Sequence, residues 1–392
     1  MTGEMMESYL YILLSALPMF VCAFWAMVFL FKYRRARKDQ KILFWFMLTA
    51  TVLYFSHFVF FNKIYPWIPL TDTLYNFATL AVYPIYYLYI LSLTQKLRWK
   101  HGLILLPALL LSLVIGILYG IMPREDLRDF LLSYEYSEGM LPEVGACVAS
   151  GWAHDLVKVL FAIQLVPILL YGLKKIERFR KSVAEYFSNT EENDLREIRW
   201  LLIFFVVTSV FSFVANLIGR VSFADSIALV AIPALLFSIL LFAVGYVGWV
   251  QKFSVEDLMK ESLEEGAAVE VEMDSKPLRK DLKRELDGLM EKEKLFLQPN
   301  LKLSEVAFAL NTNRTYIYNA LMDNGSGEHL SFSDYVNQYR IRYSLELLEK
   351  HAGNKQIEDM IYESGFASKA AFYHNFKKFV GMTPNQYLKG LH

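Results

Sequence analysis

The sequence predicts an all-α protein, in which a seven-transmembrane helical bundle is followed by a cytoplasmic all-α domain. Apolar residues make up 55% of the chain and charged residues 20%, whereas a soluble domain is nearer ~45–50% and ~25%. The apolar excess is confined to residues 1–250, and residues 251–392 have the composition of a soluble domain. Lysine and arginine also collect in alternate connections between the apolar runs, as is typical of a multi-span membrane protein.

Seven apolar segments in residues 1–250 are long enough to cross a bilayer as helices. Such a helix needs about 20 mostly apolar residues. The segments are Tyr9–Phe31, Ile42–Phe61, Leu74–Leu93, Leu103–Ile121, Val157–Leu173, Leu201–Ile218 and Ile227–Val250. Lys158, at the outer edge of the fifth segment, is the only Asp, Glu, Lys or Arg within them. The first segment lacks a basic leading region and a small-residue cleavage site, so we expect a retained span rather than a signal peptide.

The distribution of basic residues orients these spans. The first, third and fifth connections contain sixteen lysine and arginine residues, whereas the N-terminal tail and the second, fourth and sixth connections contain four. Because basic residues favour cytoplasmic loops, we expect the N-terminus outside and the C-terminus in the cytoplasm. A missed or additional span would break this alternation. The predicted location is therefore the bacterial cytoplasmic membrane, with the lipid bilayer as a partner.

Polar and aromatic side chains within the spans have two interpretations. They could line a pocket for a small apolar ligand or, as is more common, pack and hydrogen-bond between helices. The candidate pocket residues are His57, Tyr83, Tyr86, Tyr87 and Gln164. No charge pair, carboxylate dyad or HExxH motif occurs in the spans, and Cys22 and Cys147 have no disulfide or metal-ligand spacing. We therefore expect no enzyme activity, no cofactor and no metal site.

Two connecting segments are distinguished by their acidity. The predicted outer loop Met122–Asp155 is long, acidic and aromatic, and it either helps to detect a signal or is disordered. Residues 251–277 form a predicted cytoplasmic linker, in which Ser254–Asp274 contains eight acidic residues and one lysine. The linker is interpreted as a solvated helix followed by a flexible tether, or alternatively as a short dimerising helix.

Residues 278–392 contain two helix-turn-helix units, Leu301–Asp323 and Lys355–Lys378. In each unit an apolar-patterned helix meets a short turn, and a second helix begins at a polar residue. Asn311 and Gly365 lie at corresponding positions of the two turns, and both residue types tolerate a left-handed backbone. Good N-caps, Asn313 and Ser368, precede the second helices.

Apolar residues at helical spacing are expected to hold these units together. Ile317 with Leu321, and Phe372 with Phe376, are i,i+4 anchors for the two second helices. Between the units a long helix is predicted from an apolar stripe. The stripe consists of Phe332, Tyr335, Val336, Tyr339, Ile341, Leu345 and Leu348. Such a helix would fix the relation of the two units and place their second helices in successive major-groove segments.

The second unit contains a long ungapped motif, GF-x-S-x-x-x-F-x-x-x-F-K-K-x-x-G-x-T-P, from Gly365 to Pro384. Together with SEVAFALNTNRTYIYNAL and FSDYVNQYRIRYSLELL, it makes residues 278–389 resemble the AraC/XylS-type DNA-binding domain. The resemblance implies an all-α domain of about seven helices that binds double-stranded DNA and regulates transcription, with RNA polymerase as a partner.

The resemblance also implies which side chains would contact DNA. They are Arg314, Thr315, Tyr318 and Asn319 in the first unit, and Ser368, Lys369, Ala370, His374, Lys377 and Lys378 in the second. The sequence departs from the family at His374, where arginine is frequent, and at Lys389, where the familiar ending has arginine. Residues 277–392 have a net charge of only +2, but Ser364–His392 has four lysines and no acidic residue. The positive charge is therefore local to the second unit.

These observations favour a membrane-tethered one-component regulator, in which an unknown small-molecule or envelope signal changes dimerisation or the presentation of the DNA-binding domain. A homodimer is the expected assembly of that regulator. The alternative is a polytopic membrane receptor or transporter whose C-terminal helices bind a protein partner. The absence of charges deep within the spans disfavours the transporter version.

Overall fold

The structure is a computed structural model of the full chain. It describes residues 3–136, 145–191, 195–218, 227–259, 282–322, 330–350 and 357–391. Over these residues the regular elements are helices, apart from one isolated bridge between Phe187 and Lys302. The predicted all-α class is therefore confirmed. The chain divides into two compact units. One comprises residues 1–176 and 196–252, and the other comprises residues 177–195 and 253–392.

The first unit is built mainly from long apolar helices, together with one shorter polar helix, Arg124–Tyr136. They are α1 (Gly3–Lys32), α2 (Lys38–Phe61), α3 (Ile68–Thr94), α4 (Leu106–Ile121), α5 (Arg124–Tyr136), α6 (Gly145–Tyr186), α7 (Arg196–Ile218) and α8 (Ile227–Val250). The last ten residues of α6, from 177 onward, belong to the second unit. By length and composition, six helical segments of the described chain could cross a membrane. They are Met5–Lys32, Lys38–Phe61, Tyr65–Thr94, Trp99–Ile121, Gly145–Tyr186 and Ile227–Met259.

The seven-span prediction is only partly supported by these six segments. The sixth predicted span, Leu201–Ile218, lies on α7, which is helical but is not among the six. Parts of two predicted connecting segments, residues 137–144 of the outer loop and 260–277 of the linker, lie outside the described residues. The membrane crossing by Leu201–Ile218 and the structure of linker residues 260–277 therefore stay predictions.

Within the first unit, α2 packs between α1 and α3, and α8 packs against α1 and α7. Close approach of α8 to α1 depends on Gly245, because a side chain there would overlap the indole ring of Trp25. Small residues at such positions let apolar helices come close enough for extensive van der Waals contact.

The C-terminal end of α8 is fixed by an arginine clamp. Arg37, in the connection between α1 and α2, forms a bidentate pair with Asp39, with nitrogen–oxygen distances of 3.1 and 2.8 Å. The same guanidinium donates to the backbone carbonyls of Gln251, at 3.0 Å, and Lys252. These are carbonyls just beyond the last helical turn, which need donors from outside the helix. The clamp therefore holds the point where the chain leaves the first unit.

The second unit contains α9 (Leu282–Glu293), α10 (Leu303–Ala309), α11 (Arg314–Met322), α12 (Phe332–Lys350), α13 (Ile357–Glu363), α14 (Lys369–Val380) and α15 (Pro384–Leu391). It has two apolar cores. The first is formed by α9, α10, α11 and the N-terminal half of α12. The second is formed by the C-terminal half of α12 with α13 and α14. The long helix α12 thus contributes to both cores, as the apolar stripe predicted.

Candidate nucleic-acid interface

The first helix-turn-helix unit consists of α10 and α11. Asn311 adopts a left-handed backbone, with φ of +45°, at the predicted turn. The Asn313 side-chain oxygen accepts a hydrogen bond from the amide of Tyr316 at 3.0 Å, so the predicted N-cap of α11 is confirmed. Ile317 and Leu321 are buried in the first core, as the i,i+4 pattern predicted. The turn, cap and anchors together fix how α11 lies on α10.

The second unit consists of α13 and α14 and repeats this construction. Gly365 has φ of +85°, and a Cβ atom there would lie 2.6 Å from the carbonyl oxygen of Phe296. The turn therefore requires glycine both for its backbone conformation and for its close packing. Ser368 caps α14 by accepting a hydrogen bond from the amide of Ala371 at 3.0 Å. Phe372 and Phe376 are fully buried in the second core.

On α11 the predicted contact residues are unequal in exposure. Thr315 and Asn319 are exposed, whereas Arg314 and Tyr318 are half-buried. The Arg314 guanidinium carbon lies 5.7 Å from the centre of the Tyr186 ring, within reach of a cation–π interaction. Tyr186 is the last residue of α6 and packs against the first core. Arg314 therefore already has an aromatic partner within the second unit.

On α14 the predicted contact residues after the cap are all exposed. They are Lys369, Ala370, His374, Lys377 and Lys378. The Lys369 ammonium lies 2.6 Å from a carboxylate oxygen of Glu358, and the hydrogen bond and charge of this lysine lower the pKa of Glu358. Lys378 makes a pair of the same length with Asp334. Two of the lysines thus have acidic neighbours that DNA phosphates would have to replace.

Sequence reasoning missed Arg340, which is the largest fully buried side chain among the described residues. Its Nε donates to the carbonyl of Phe296 at 2.7 Å, and its terminal nitrogen Nη2 donates to the carbonyls of Gln298 and Pro299. The guanidinium also lies 5.7 Å from the Phe366 ring in the turn of the second unit. Burial lowers the pKa of Arg340 to about 9, so it remains cationic at neutral pH. Arg340 therefore ties the segment before α10 to the connecting helix and to the second turn.

A signal for this role was present in the sequence. Ser333, Asn337, Arg340 and Ser344 recur at intervals of four, three and four residues, which places them on one face of α12, and all four are buried. Such a row is a polar stripe beside the apolar one. The sequence pattern could have shown that this face binds polar groups, but not which ones.

The residues of the candidate ligand pocket in the first unit contact different neighbouring side chains. Tyr83 stacks on Phe205 with ring centres 4.6 Å apart, and Tyr86 lies edge-on to the same ring at 5.3 Å. The His57 ring instead lies closest to Tyr75, at 5.2 Å. The described side chains include two further predicted pocket residues, Tyr87 and Gln164, both half-buried. These aromatic contacts fit helix packing, and a ligand pocket stays a prediction.

The structure also brings together a buried acid and a histidine that the sequence did not connect. Asp72 on α3 and His154 on α6 lie just outside the predicted third and fifth spans. The Asp72 carboxylate oxygen is 2.8 Å from Nε2 of His154, and both side chains are about 5% exposed. Tyr119 donates to the same oxygen at 2.7 Å, and Asn76 at 3.1 Å. The prediction concerned the spans alone, so this buried acid–histidine pair of the first unit is a finding of the structure.

The C-terminal domain is similar to known regulators. The family model described as "Helix-turn-helix domain" matches residues 306–390. The transcriptional regulatory protein HptR of Staphylococcus aureus is 27% identical over 104 residues, 26% of this chain and 39% of HptR. The TCP pilus virulence regulatory protein of Vibrio cholerae is 32% identical over 89 residues, 23% of this chain and 30% of that protein.

The chain thus spans less than half of the length of the curated relatives it matches. No solved structure matches the chain. The match covers both turn-and-cap arrangements described above, with the glycine turn and the serine cap of the second. Residues 306–390 of this chain are a helix-turn-helix domain of the AraC type.

Proposed function

We propose that this protein is a membrane-tethered transcription regulator whose C-terminal domain binds promoter DNA through two recognition helices, α11 and α14. The observation that carries the proposal is the AraC-type domain at residues 306–390, with both turns and both caps formed. The described residues of the same chain include six helical segments that are apolar and long enough to span a membrane. Tethering would confine the target promoter to the cytoplasmic face of the membrane.

Direct reading of bases is proposed for the exposed residues of the recognition helices. Asn319 has the donor and acceptor geometry to bind adenine in the major groove. Lys377 and Lys378, near the end of α14, would contact phosphates and fix the orientation of the domain. The same domain is the proposed contact for RNA polymerase, and a homodimer would double the number of half-sites bound. The first unit anchors the regulator and is the proposed place for detection of a small-molecule or envelope signal.

The proposal is tested by mapping DNA bound by the full-length chain in cells, together with transcript profiling after deletion. We expect discrete promoter sites that coincide with altered transcripts, and recovery of the protein in the membrane fraction. Absence of enriched sites, or recovery in the soluble fraction, would contradict the proposal.

Single substitutions then separate base reading from phosphate binding. Asn319→Ala is expected to relax specificity at one base pair, at a cost of about 1–3 kcal/mol. Lys377→Ala is expected to weaken binding to all sequences and to reduce the salt slope by about one. Lys292→Ala, which removes an exposed lysine from α9, is the matched control and should leave both properties unchanged.

A further inference from the structure

The end of α6 and the residues after it, 186–191, dock on the DNA-binding domain as part of the same compact unit. We propose that this segment is a built-in partner of the domain and competes with DNA for the N-terminal ends of both recognition helices. The inference rests on the proposed DNA-binding function. It adds an autoinhibitory surface and identifies the occupant as the chain's own cytoplasmic connection between α6 and α7.

The docking is centred on Ser188, whose side chain and backbone are almost completely buried. Its amide donates to the carbonyl of Leu301 at 3.0 Å, next to the isolated bridge that joins the neighbouring residues. Its carbonyl accepts from the hydroxyl of Ser333 at 3.0 Å. Its hydroxyl accepts from the guanidinium of Arg340 at 3.1 Å. Amide, carbonyl and hydroxyl are therefore all bound by the domain.

This arrangement explains the polar stripe on α12. Three of the four stripe residues, Ser333, Asn337 and Arg340, donate hydrogen bonds to Ser188, so this part of the stripe binds the backbone and side chain of the segment. If the segment left, these buried donors would need water or another acceptor in its place, because unpaired buried polar groups are costly. The polar stripe therefore stabilises the docked state of residues 186–191 relative to an undocked one.

From this anchor the segment reaches both recognition helices. On one side, Tyr186 lies beneath the guanidinium of Arg314 at the start of α11. On the other side, the Glu191 carboxylate accepts a hydrogen bond from the hydroxyl of Ser368, the N-cap of α14. One short stretch of chain thus occupies a predicted DNA contact on each of the two helices.

The Glu191 carboxylate lies at the N-terminus of α14, where DNA phosphate is expected to bind. The N-terminus of a helix carries a partial positive charge and unpaired amides, and it binds DNA phosphate in helix-turn-helix complexes. A carboxylate at the cap of the 12-residue helix α14 satisfies the same electrostatic preference. A phosphate and Glu191 cannot both occupy that position, so docking of the segment and binding of DNA exclude each other there.

The segment is also the direct continuation of a candidate membrane span. Helix α6 is continuous from Gly145 to Tyr186, and its apolar part meets the criteria for crossing a bilayer. A displacement of this helix would therefore be transmitted along its own backbone to the docked residues. A ligand or signal that favours one position of α6 would shift the balance between docked and DNA-bound states by its difference in affinity for the two.

The test measures DNA binding by the full-length chain in detergent or nanodiscs, with a mapped promoter fragment and a random fragment. Glu191→Ala is expected to tighten binding by about two- to fivefold, the value of one charge at a helix N-terminus. Glu197→Ala removes an equal charge from an exposed position on α7 and should leave affinity unchanged. Equal affinity of the wild type and Glu191→Ala would overturn the competition while leaving the proposed function intact.

A reversible cross-link provides the second measurement. Asn189 donates to the side chain of Asn300 at 3.0 Å, and neither residue belongs to a recognition helix. Cysteines at these two positions, joined by a short reducible cross-linker, would hold the segment in place, while the native Cys22 and Cys147 are buried. We expect lower DNA affinity when joined, recovery on reduction, and partial recovery when Glu191→Ala is added. An unchanged affinity of the joined chain overturns the inference. Failure of every form to bind DNA overturns the proposed function as well.

Discussion

Arg340 in the second unit and the Asp72–His154 pair in the first unit are buried ionisable centres, and their hydrogen bonds are satisfied in different ways. In the second unit, Arg340 is surrounded by neutral oxygens, chiefly the carbonyls of Phe296, Gln298 and Pro299. In the first unit, Asp72 faces His154, a partner that can itself gain or lose a proton. Neutral carbonyls bind a cation at any physiological pH. The hydrogen bond of an acid–histidine pair instead depends on whether a proton lies between the two groups.

The hydrogen bonds of His154 show how many protons the Asp72–His154 pair holds. Nδ1 of His154 lies 2.7 Å from the carbonyl of Ser150, which can only accept, so Nδ1 carries a hydrogen. The 2.8 Å separation of Nε2 from the Asp72 oxygen then requires a further hydrogen between them. The pair is either imidazolium with carboxylate or imidazole with carboxylic acid, and in both forms it holds one shared proton. The hydrogen bonds of Arg340 thus need no shared proton, whereas the Asp72–His154 pair does.

The largest effect is expected from Arg340→Met. At least three buried carbonyls would lose their donor, so we expect a loss of about 3–5 kcal/mol in the free energy of unfolding of the second unit. The measurement is denaturant titration of the full chain, followed by hydrogen exchange at amides of α12. Arg342→Met, two residues along on the exposed side of the same helix, is the control and should cost less than about 0.5 kcal/mol. Equal effects of the two changes would rule out a stabilising role for the hydrogen bonds of Arg340.

A smaller effect on the same centre is expected from Gly365→Ala. The new Cβ would press on the Phe296 carbonyl, which is the oxygen that Arg340 binds. Strain of the left-handed backbone and displacement of this carbonyl together predict a loss of about 2–4 kcal/mol. Gly381→Ala is the control, because Gly381 has nearly the same φ, +84°, with no atom within 4 Å of a Cβ there. It should show the backbone cost alone, about 1–2 kcal/mol, in the same titration.

In the first unit, Asp72→Asn is expected to cost about 1–3 kcal/mol, because His154 loses its acidic partner while an amide still fills the space. The measurement is thermal unfolding of the solubilised chain. Asp129→Asn, at an exposed position on α5, is the control and should leave stability unchanged. Equal stability of the wild type and Asp72→Asn would contradict a stabilising role for the pair.

The all-α class, the turn at Gly365 and the caps at Asn313 and Ser368 followed from the sequence, since each depends on local backbone chemistry and helical periodicity. Arg340, Asp72 and Ser188 did not. Each has hydrogen-bond partners that lie 41 residues or more away in the chain, so no local pattern contains those contacts. The residues proposed to contact DNA came from a family resemblance, and their engagement by Tyr186 and Glu191 depends on how a distant segment packs. Long-range polar contacts were therefore the part that sequence patterns could not supply.

The smallest effect is expected at Asp287, an ionisable group of the second unit that is only partly buried. Its carboxylate accepts hydrogen bonds from Tyr335 at 2.7 Å and Tyr339 at 3.0 Å, and pairs with Lys283 at 3.0 Å. Partial burial alone would raise the pKa of Asp287, but the hydrogen bonds and the lysine charge outweigh it and lower this pKa below 3.8. Stability from this group is therefore present above pH ~4 and is lost as the pH falls through the lowered pKa.

The Asp287 side chain is 36% exposed, so solvent screening should limit its contribution to less than about 1 kcal/mol. Asp287→Asn should lower the unfolding free energy of the second unit by that amount at neutral pH and by nothing at acidic pH, where the wild-type carboxylate is protonated. Acid titration of unfolding, monitored by hydrogen exchange at α9 and α12, measures both limits. Asp359→Asn, on α13, is the control. A loss that persisted at acidic pH would mean that packing, rather than charge, sets the contribution of Asp287.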